Sequence, residues 1–245
     1  MNLSIEPDYA AVSCAAAERI ARLVRGKPDA AVMVATGNTP RGTYARLAEM
    51  ARADELDLAA VRLFQLDAYL GEDDSGAPPS FYGWLRRHFL DPAGMRPEQL
   101  TRVRGDAADP RVAATLEEEI DRAGGLSLAI LGLGINGHVG FNEPPARGDS
   151  RSRVVELSPE TVDANHAYWD TGLTVPTRGV TAGIATIRDA RELLMLVTGI
   201  EKAEILRRAL EDGVSDRLPA SHLCAHPGFR VIADREAASR LADPE

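Results

Sequence analysis

The feature that most limits how this chain can fold is a recurrent alternation of short apolar runs with longer stretches of helical period. Residues 30–36 (AAVMVAT), 61–66 (VRLFQL), 126–131 (LSLAIL), 193–198 (LLMLVT) and 230–233 (RVIA) read as strands. The most continuous of them are apolar on both faces, which suits a parallel sheet covered by helices. Helical periodicity fits residues 9–25, 40–53, 79–89, 110–123, 159–169, 202–211 and 237–241. Pro40 and Pro159 suit first helical turns, with Thr39 and Ser158 as candidate N-caps. Strand–helix alternation of this kind predicts an open α/β sheet, mostly parallel, with helices on both faces. No repeat, low-complexity tract or linker-like shift in composition interrupts it, so the expectation is one domain over residues 1–245.

Composition narrows the function classes. The chain is 44% hydrophobic and 27% charged, ordinary for a soluble globular protein with a real core. It has no apolar run near the roughly 18 residues that a membrane helix needs, and its first residues lack the apolar segment of a secretory signal. Two cysteines, Cys14 and Cys224, make neither a disulfide framework nor a cysteine-based zinc site. A cytoplasmic location is therefore expected. A net charge of −9 argues against nucleic acid or an anionic membrane as partner, because phosphate backbones select basic patches. It leaves room for a small phosphorylated substrate, which a few cations and backbone N–H groups can hold.

In open α/β sheets ligands bind beyond the carboxyl ends of the strands, so the segments that follow the strands carry the information. After the first core strand, Thr36-Gly37-Asn38-Thr39 leads into a helix and could cradle an anion. A plain capped strand–helix turn reads equally well. Asp67 ends the next strand, where an ionised carboxylate is costly without a role or a partner. It suits a general base, and equally an Asx turn or helix cap. The third strand opens into Gly132-Leu133-Gly134-Ile135-Asn136-Gly137-His138-Val139-Gly140-Phe141-Asn142-Glu143. Glycines there allow close backbone approach, and a His near a Glu can be poised as acid or base. One His and one Glu are too few for a metal site, and the glycine spacing is a poor dinucleotide fingerprint. Lys202, one of only two lysines, sits where a helix N-terminus disfavours positive charge. A bound anion would remove that conflict, although a solvated surface lysine is the simpler reading of the segment alone.

Taken together, TGNTPRGTY, FQLDAYLG, LGLGINGHVGFNEP and LVTGIEKAEIL, in this order, resemble the glucosamine-6-phosphate deaminase (isomerase) family. The related 6-phosphogluconolactonases share the GxGxxGH portion but lack the FNEP that follows. The resemblance implies a Rossmann-like fold and a reaction without metal or cofactor, in which glucosamine 6-phosphate and water give fructose 6-phosphate and ammonia. By the same resemblance Asp67 is the base that moves a proton between C2 and C1, and His138 opens the pyranose ring. Glu143 and Asn136 then orient and tune the imidazole; an amide at 136 implies a shifted pH optimum, since it cannot stabilise an imidazolium by charge. The phosphate falls to Thr36, Gly37, Asn38, Thr39 and Lys202.

Two departures from the family pattern stand out. The arginine that usually follows Asn165 by two residues is Ala167 here. A charge-assisted bond of that kind contributes about 1.5–3 kcal/mol, so Arg41 or His166 would have to compensate, or the substrate is a different amino sugar or sugar phosphate. Some hexameric members bind N-acetylglucosamine 6-phosphate through Ser, Arg and Lys after FNEP. Here Arg153 matches, whereas Ala146 and Val155 replace the other two, so no activation by that ligand is expected. Homo-oligomerisation stays open. A non-catalytic sugar-phosphate sensor is a third reading, disfavoured because residues before 30 leave no room for a helix-turn-helix.

Overall fold

A computed structural model describes residues 2–72, 75–103, 111–169 and 174–242, with 164–168 described by backbone only. The described strands are β1 (Asn2–Glu6), β2 (Ala31–Val34), β3 (Arg62–Gln65), β4 (Asp67–Tyr69), β5 (Leu100–Thr101), β6 (Leu128–Gly132), β7 (Arg153–Glu156), β8 (Arg178–Thr181), β9 (Leu193–Val197) and β10 (Phe229–Asp234). Seven of them form one sheet in the order β1-β10-β9-β6-β2-β3-β5, and every neighbouring pair is parallel. The expectation of an α/β fold around a parallel sheet holds. A second, antiparallel sheet of order β4-β8-β7 stands beyond the end of β3.

The helices are α1 (Tyr9–Gly26), α2 (Asn38–Arg52), α3 (Phe81–Leu85), α4 (Val112–Arg122), α5 (Pro159–Trp169), α6 (Ile184–Arg188) and α7 (Ala203–Glu211). Alternate sheet residues feed two separate cores, because successive strand side chains point to opposite faces. Met33, Leu131 and Met195 join α4, α6 and α7 in one. Val32, Val34, Ile130, Leu194 and Leu196 join α1, α2 and α3 in the other. With both faces buried, no strand position in the centre of the sheet can be polar at low cost, and this explains the unbroken apolar runs.

Some expectations need correction. Residues 237–241 form successive turns instead of a helix: so short a segment cannot offset helix nucleation, and the Asp234 carboxylate takes the Ala237 N–H at 2.8 Å. Thr39 does not cap α2. That helix starts one residue earlier, and its N-cap is Gly37 at φ 108°, a conformation that favours glycine. Ser158 does act as a cap, its Oγ accepting from Thr161 N at 3.2 Å. The 79–89 helix begins at Phe81, capped by Ser80, and widens into a π turn over Arg86–Leu90. Strands β1, β4, β5, β7 and β8 are short or mixed in polarity and gave no periodic signal.

Leu196 on β9 is fully buried. Leu196→Ala is expected to cost about 2–5 kcal/mol, read as a lower denaturant midpoint. An unchanged midpoint would contradict a close-packed β9.

Candidate active site

The chain runs outward from β2 through β3 to β5, then returns through α4 to place β6 on the other side of β2. The loops after β2 and β6 therefore diverge, which opens a crevice at the carboxyl edge of the sheet. A cavity of about 310 Å³ occupies it. Its wall is made by the segments following four adjacent strands: Ala35–Pro40 after β2, Leu66 and Asp67 after β3, Gly132–Ile135 with His138 and Phe141 after β6, and Lys202 after β9. Phe81 of α3 and Thr161 of α5 close the sides.

The first wall is the start of α2. The N-cap Gly37 supplies no side-chain acceptor, so the N–H groups that open the helix, beside the cavity that residues 37–40 line, have no side-chain cap. Opposite them, Lys202 ends a single 3₁₀ turn, Ile200–Lys202. Its ammonium makes no ion pair among the described residues, and burial lowers its pKa. The loop that carries it is fixed by Asp234 at the end of β10, whose two carboxylate oxygens accept from Gly199 N at 3.1 and 3.0 Å.

Asp67 forms the floor. It is 6% exposed and has no hydrogen-bond donor among the described residues. Burial, with the nearby negative charge of Glu72, raises its pKa to about 7. Glu72 itself is engaged. Its carboxylate accepts from Tyr69 N, Phe81 N, Tyr82 N and Ser80 Oγ at 2.9–3.3 Å, pinning α3 beside β4.

His138 lies on a tight loop closed by Gly134 N donating to His138 O at 3.0 Å. A Cβ at Gly134 would sit 2.3 Å from His138 Nε2, so only glycine lets the ring lie against this backbone. Burial pushes the imidazole pKa down to about 4; Glu143 acts against that and Lys202 with it. The ring is neutral at pH 7. Its Nδ1 and Glu143 Oε1 are both buried without a partner, while Glu143 Oε2 accepts from Ser158 N at 3.1 Å. Glu143 faces a neighbouring groove rather than the cavity. Asn136 is exposed, and its Oδ1 accepts from the backbone N–H of His138 at 3.1 Å, holding the loop and not the ring.

Thr36–Thr39 and Lys202 thus converge with Asp67 and His138 on one cavity. Arg41 does not join them: it lines an outer groove with Arg52, Arg87 and His88. The side chains of His166 and Ala167 lie outside the described residues. Arg153 donates to Asn142 Oδ1 at 2.8 Å, and Asn142 Nδ2 donates to Val139 O and Ala182 O at 2.8 Å each. The arginine therefore braces the loop that carries Phe141 and Glu143. Sequence reasoning missed this bracing, and also Glu72 and Asp234. It missed too the aromatic group in which Phe81 stacks on Phe141 and Trp169 Nε1 donates to Tyr69 Oη at 2.9 Å. Among the described residues no group of three or more His, Cys, Asp or Glu could hold a metal ion.

The family model for glucosamine-6-phosphate isomerases/6-phosphogluconolactonase matches residues 8–231. The chain belongs to this family. It is 38% identical to the glucosamine-6-phosphate deaminase of Halothermothrix orenii over 242 residues, covering 98% of this chain and 100% of that protein. It is 34% identical to the deaminase of Thermoanaerobacter pseudethanolicus over 246 residues, covering 100% and 97%. The solved structure of a monomeric glucosamine-6-phosphate deaminase is similar at a TM-score of 0.93 and 34% identity, with 98% of this chain and 100% of that one covered. A 6-phosphogluconolactonase from Trypanosoma brucei shares the fold, with a TM-score of 0.76, 22% identity and 98% of each chain covered.

The unfolded chain releases the Asp67 proton near pH 4, whereas the folded one holds it to about pH 7. Between these values the folded state binds more protons, so this group lowers stability as pH rises. Asp67→Asn removes that penalty and is expected to raise stability at pH 8 by about 1–4 kcal/mol, with the gain fading below about pH 4. Denaturation curves of both proteins at the two pH values test it. No gain at pH 8 would mean that the carboxylate is paired.

Proposed function

We propose that the chain is a glucosamine-6-phosphate deaminase working as a single domain, with Asp67, His138, Glu143 and Asn136 as its acid–base group. The observation that carries this reading is one cavity that joins an uncapped helix N-terminus and a lysine to an unpaired buried carboxylate and a neutral imidazole. The full-length deaminase relatives at 34–38% identity supply the substrate. The phosphate lies between the α2 N-terminus and Lys202, which aims the sugar at Asp67. A neutral His138 takes the proton from O1 and returns one at O5, opening the ring. Ionised Asp67 removes the C2 proton and delivers it to C1 while a proton passes from the amine nitrogen to O1, turning the open-chain 2-amino aldehyde into a C2 imine with a C1 hydroxyl. Water hydrolyses the imine to fructose 6-phosphate and ammonia. Glu143 orients the imidazole, and Asn136 acts on it through the loop backbone.

Because Asp67 must be ionised to act, kcat/KM is expected to rise with pH through about 7. Ammonia and fructose 6-phosphate should appear in equal amounts from glucosamine 6-phosphate, and Asp67→Asn should abolish both while leaving ligand affinity within a few-fold. No product from the folded wild type would shift the assignment to another amino-sugar phosphate, the reading that Ala167 favours. Lys202→Ala is expected to raise KM at least tenfold with a smaller change in kcat, since the phosphate ion pair exists before and during reaction. An unchanged KM would place Lys202 outside the phosphate site.

A further inference from the structure

The α2 N-terminus works as an anion cradle only if its first turn is held at the right height above the sheet. Within α2, the buried Tyr44 hydroxyl donates to Ala35 O at 2.8 Å and ties the helix to the end of β2, but no α2 side chain reaches the first turn, whose N-cap is Gly37. The hold on that first turn comes from α1. Tyr9, the first residue of α1, places its hydroxyl in the first turn of α2, donating to Asn38 O at 2.8 Å and accepting from Gly42 N at 2.8 Å. A single hydroxyl thus satisfies both its donor and its acceptor on the two ends of one helical turn. The approach is close because residue 42 has no side chain: a Cβ there would lie 2.3 Å from Ser13 Oγ and 3.0 Å from Tyr9 Oη. Ser13 Oγ in turn donates to Tyr9 O at 2.8 Å, which ties the tyrosine back to its own helix. Asp8 fixes the start of α1, its carboxylate accepting from Ala11 N at 2.9 Å.

Tyr9 is nonetheless 39% exposed, among the few large hydrophobic side chains left exposed in the described residues. An aromatic ring left that open adds little to the core, so the hydroxyl contacts are what the position provides. Asn38 is the residue they reach, and Asn38 lines the cavity between Gly37 and Thr39. We propose that Tyr9 is a positioning residue for substrate phosphate: its hydroxyl sets the first turn of α2, and through Asn38 the height of the cradle. The inference rests on the proposed function, which puts the substrate phosphate at the start of α2. It touches no reacting atom, so its effect belongs to binding and not to the chemical step. A phosphate gripped equally in ground and transition states changes KM and leaves kcat alone.

The test is Tyr9→Phe, which keeps the ring and removes the hydroxyl. KM for glucosamine 6-phosphate is expected to rise about three- to tenfold with kcat within twofold. The Kd for inorganic phosphate, measured by calorimetry on the full chain, should weaken by a similar factor. Gly42→Ala, which forces α2 away from Ser13, should give the same split. Thermal melts confirm that each variant is folded at the assay temperature. Unchanged KM and phosphate Kd in Tyr9→Phe would overturn the proposal. So would a fall in kcat at constant KM, which would mark a general loss of active structure. If the wild type releases no ammonia, the sugar assignment fails, and the phosphate Kd alone then decides the role of Tyr9.

Discussion

A parallel sheet buried on both faces confines polar chemistry to one edge. Every central position of β2, β6 and β9 is apolar, because either face of those strands meets a helix. Only where the strands end can a carboxylate, an imidazole or a run of open amides exist without breaking the core. The order of strands then decides which ends meet. With β6 and β3 on opposite sides of β2, the glycine loop of one and the aspartate of the other face each other across the cradle that follows β2.

That confinement also sets the electrostatics. Asp67 opens β4 just past the end of β3, deep enough for desolvation to hold its proton to about pH 7. Glu72 contributes from a distance, and the four donors on its own carboxylate work against the burial that raises its pKa. The same burial drives His138 the other way, to about 4. A carboxyl and an imidazole have thus nearly exchanged their ordinary proton affinities, so the carboxyl titrates near neutrality while the ring is neutral there. Two buried atoms here, His138 Nδ1 and Glu143 Oε1, have no partner among the described residues.

Much of this was legible in the sequence because it sits in segments that directly follow apolar strands. Asp67, His138 and the Thr36–Thr39 loop stand out as candidates from position and chemistry, whereas Lys202 stands out only through the family resemblance. What escaped depends on contacts distant in sequence. Asp234 supports Gly199 only because β9 and β10 pair with Val197 opposite Ala233. Arg153 reaches Asn142 from a short strand with no clear periodicity. Glu72 sits in a polar, acidic stretch that looks solvated until four donors are found around it. Arg41 misled for a geometric reason. Adjacent in sequence to the cradle, it falls on the helical stripe of Ala45, Ala48 and Arg52, which faces the outer groove. Thr39 misled because hydroxyl residues are preferred caps; glycine took the place, and the amides stayed open.

The open amides bear on the missing arginine at position 167. A capped α2 would have its first donors occupied and would need a strong cation to draw a phosphate in. An uncapped one has donors and a favourable dipole waiting. Lys202 is also held at a cost, partly dehydrated, without an ion pair among the described residues and at the start of α7 where the helix field opposes it. A dianionic phosphate between them would relieve the uncapped turn, the dehydrated ammonium and the unfavourable dipole together. In the proposed phosphate site, affinity would come from groups that are costly to hold without an anion. The uncapped turn with its lysine would then supply what a guanidinium at position 167 supplies in the family pattern.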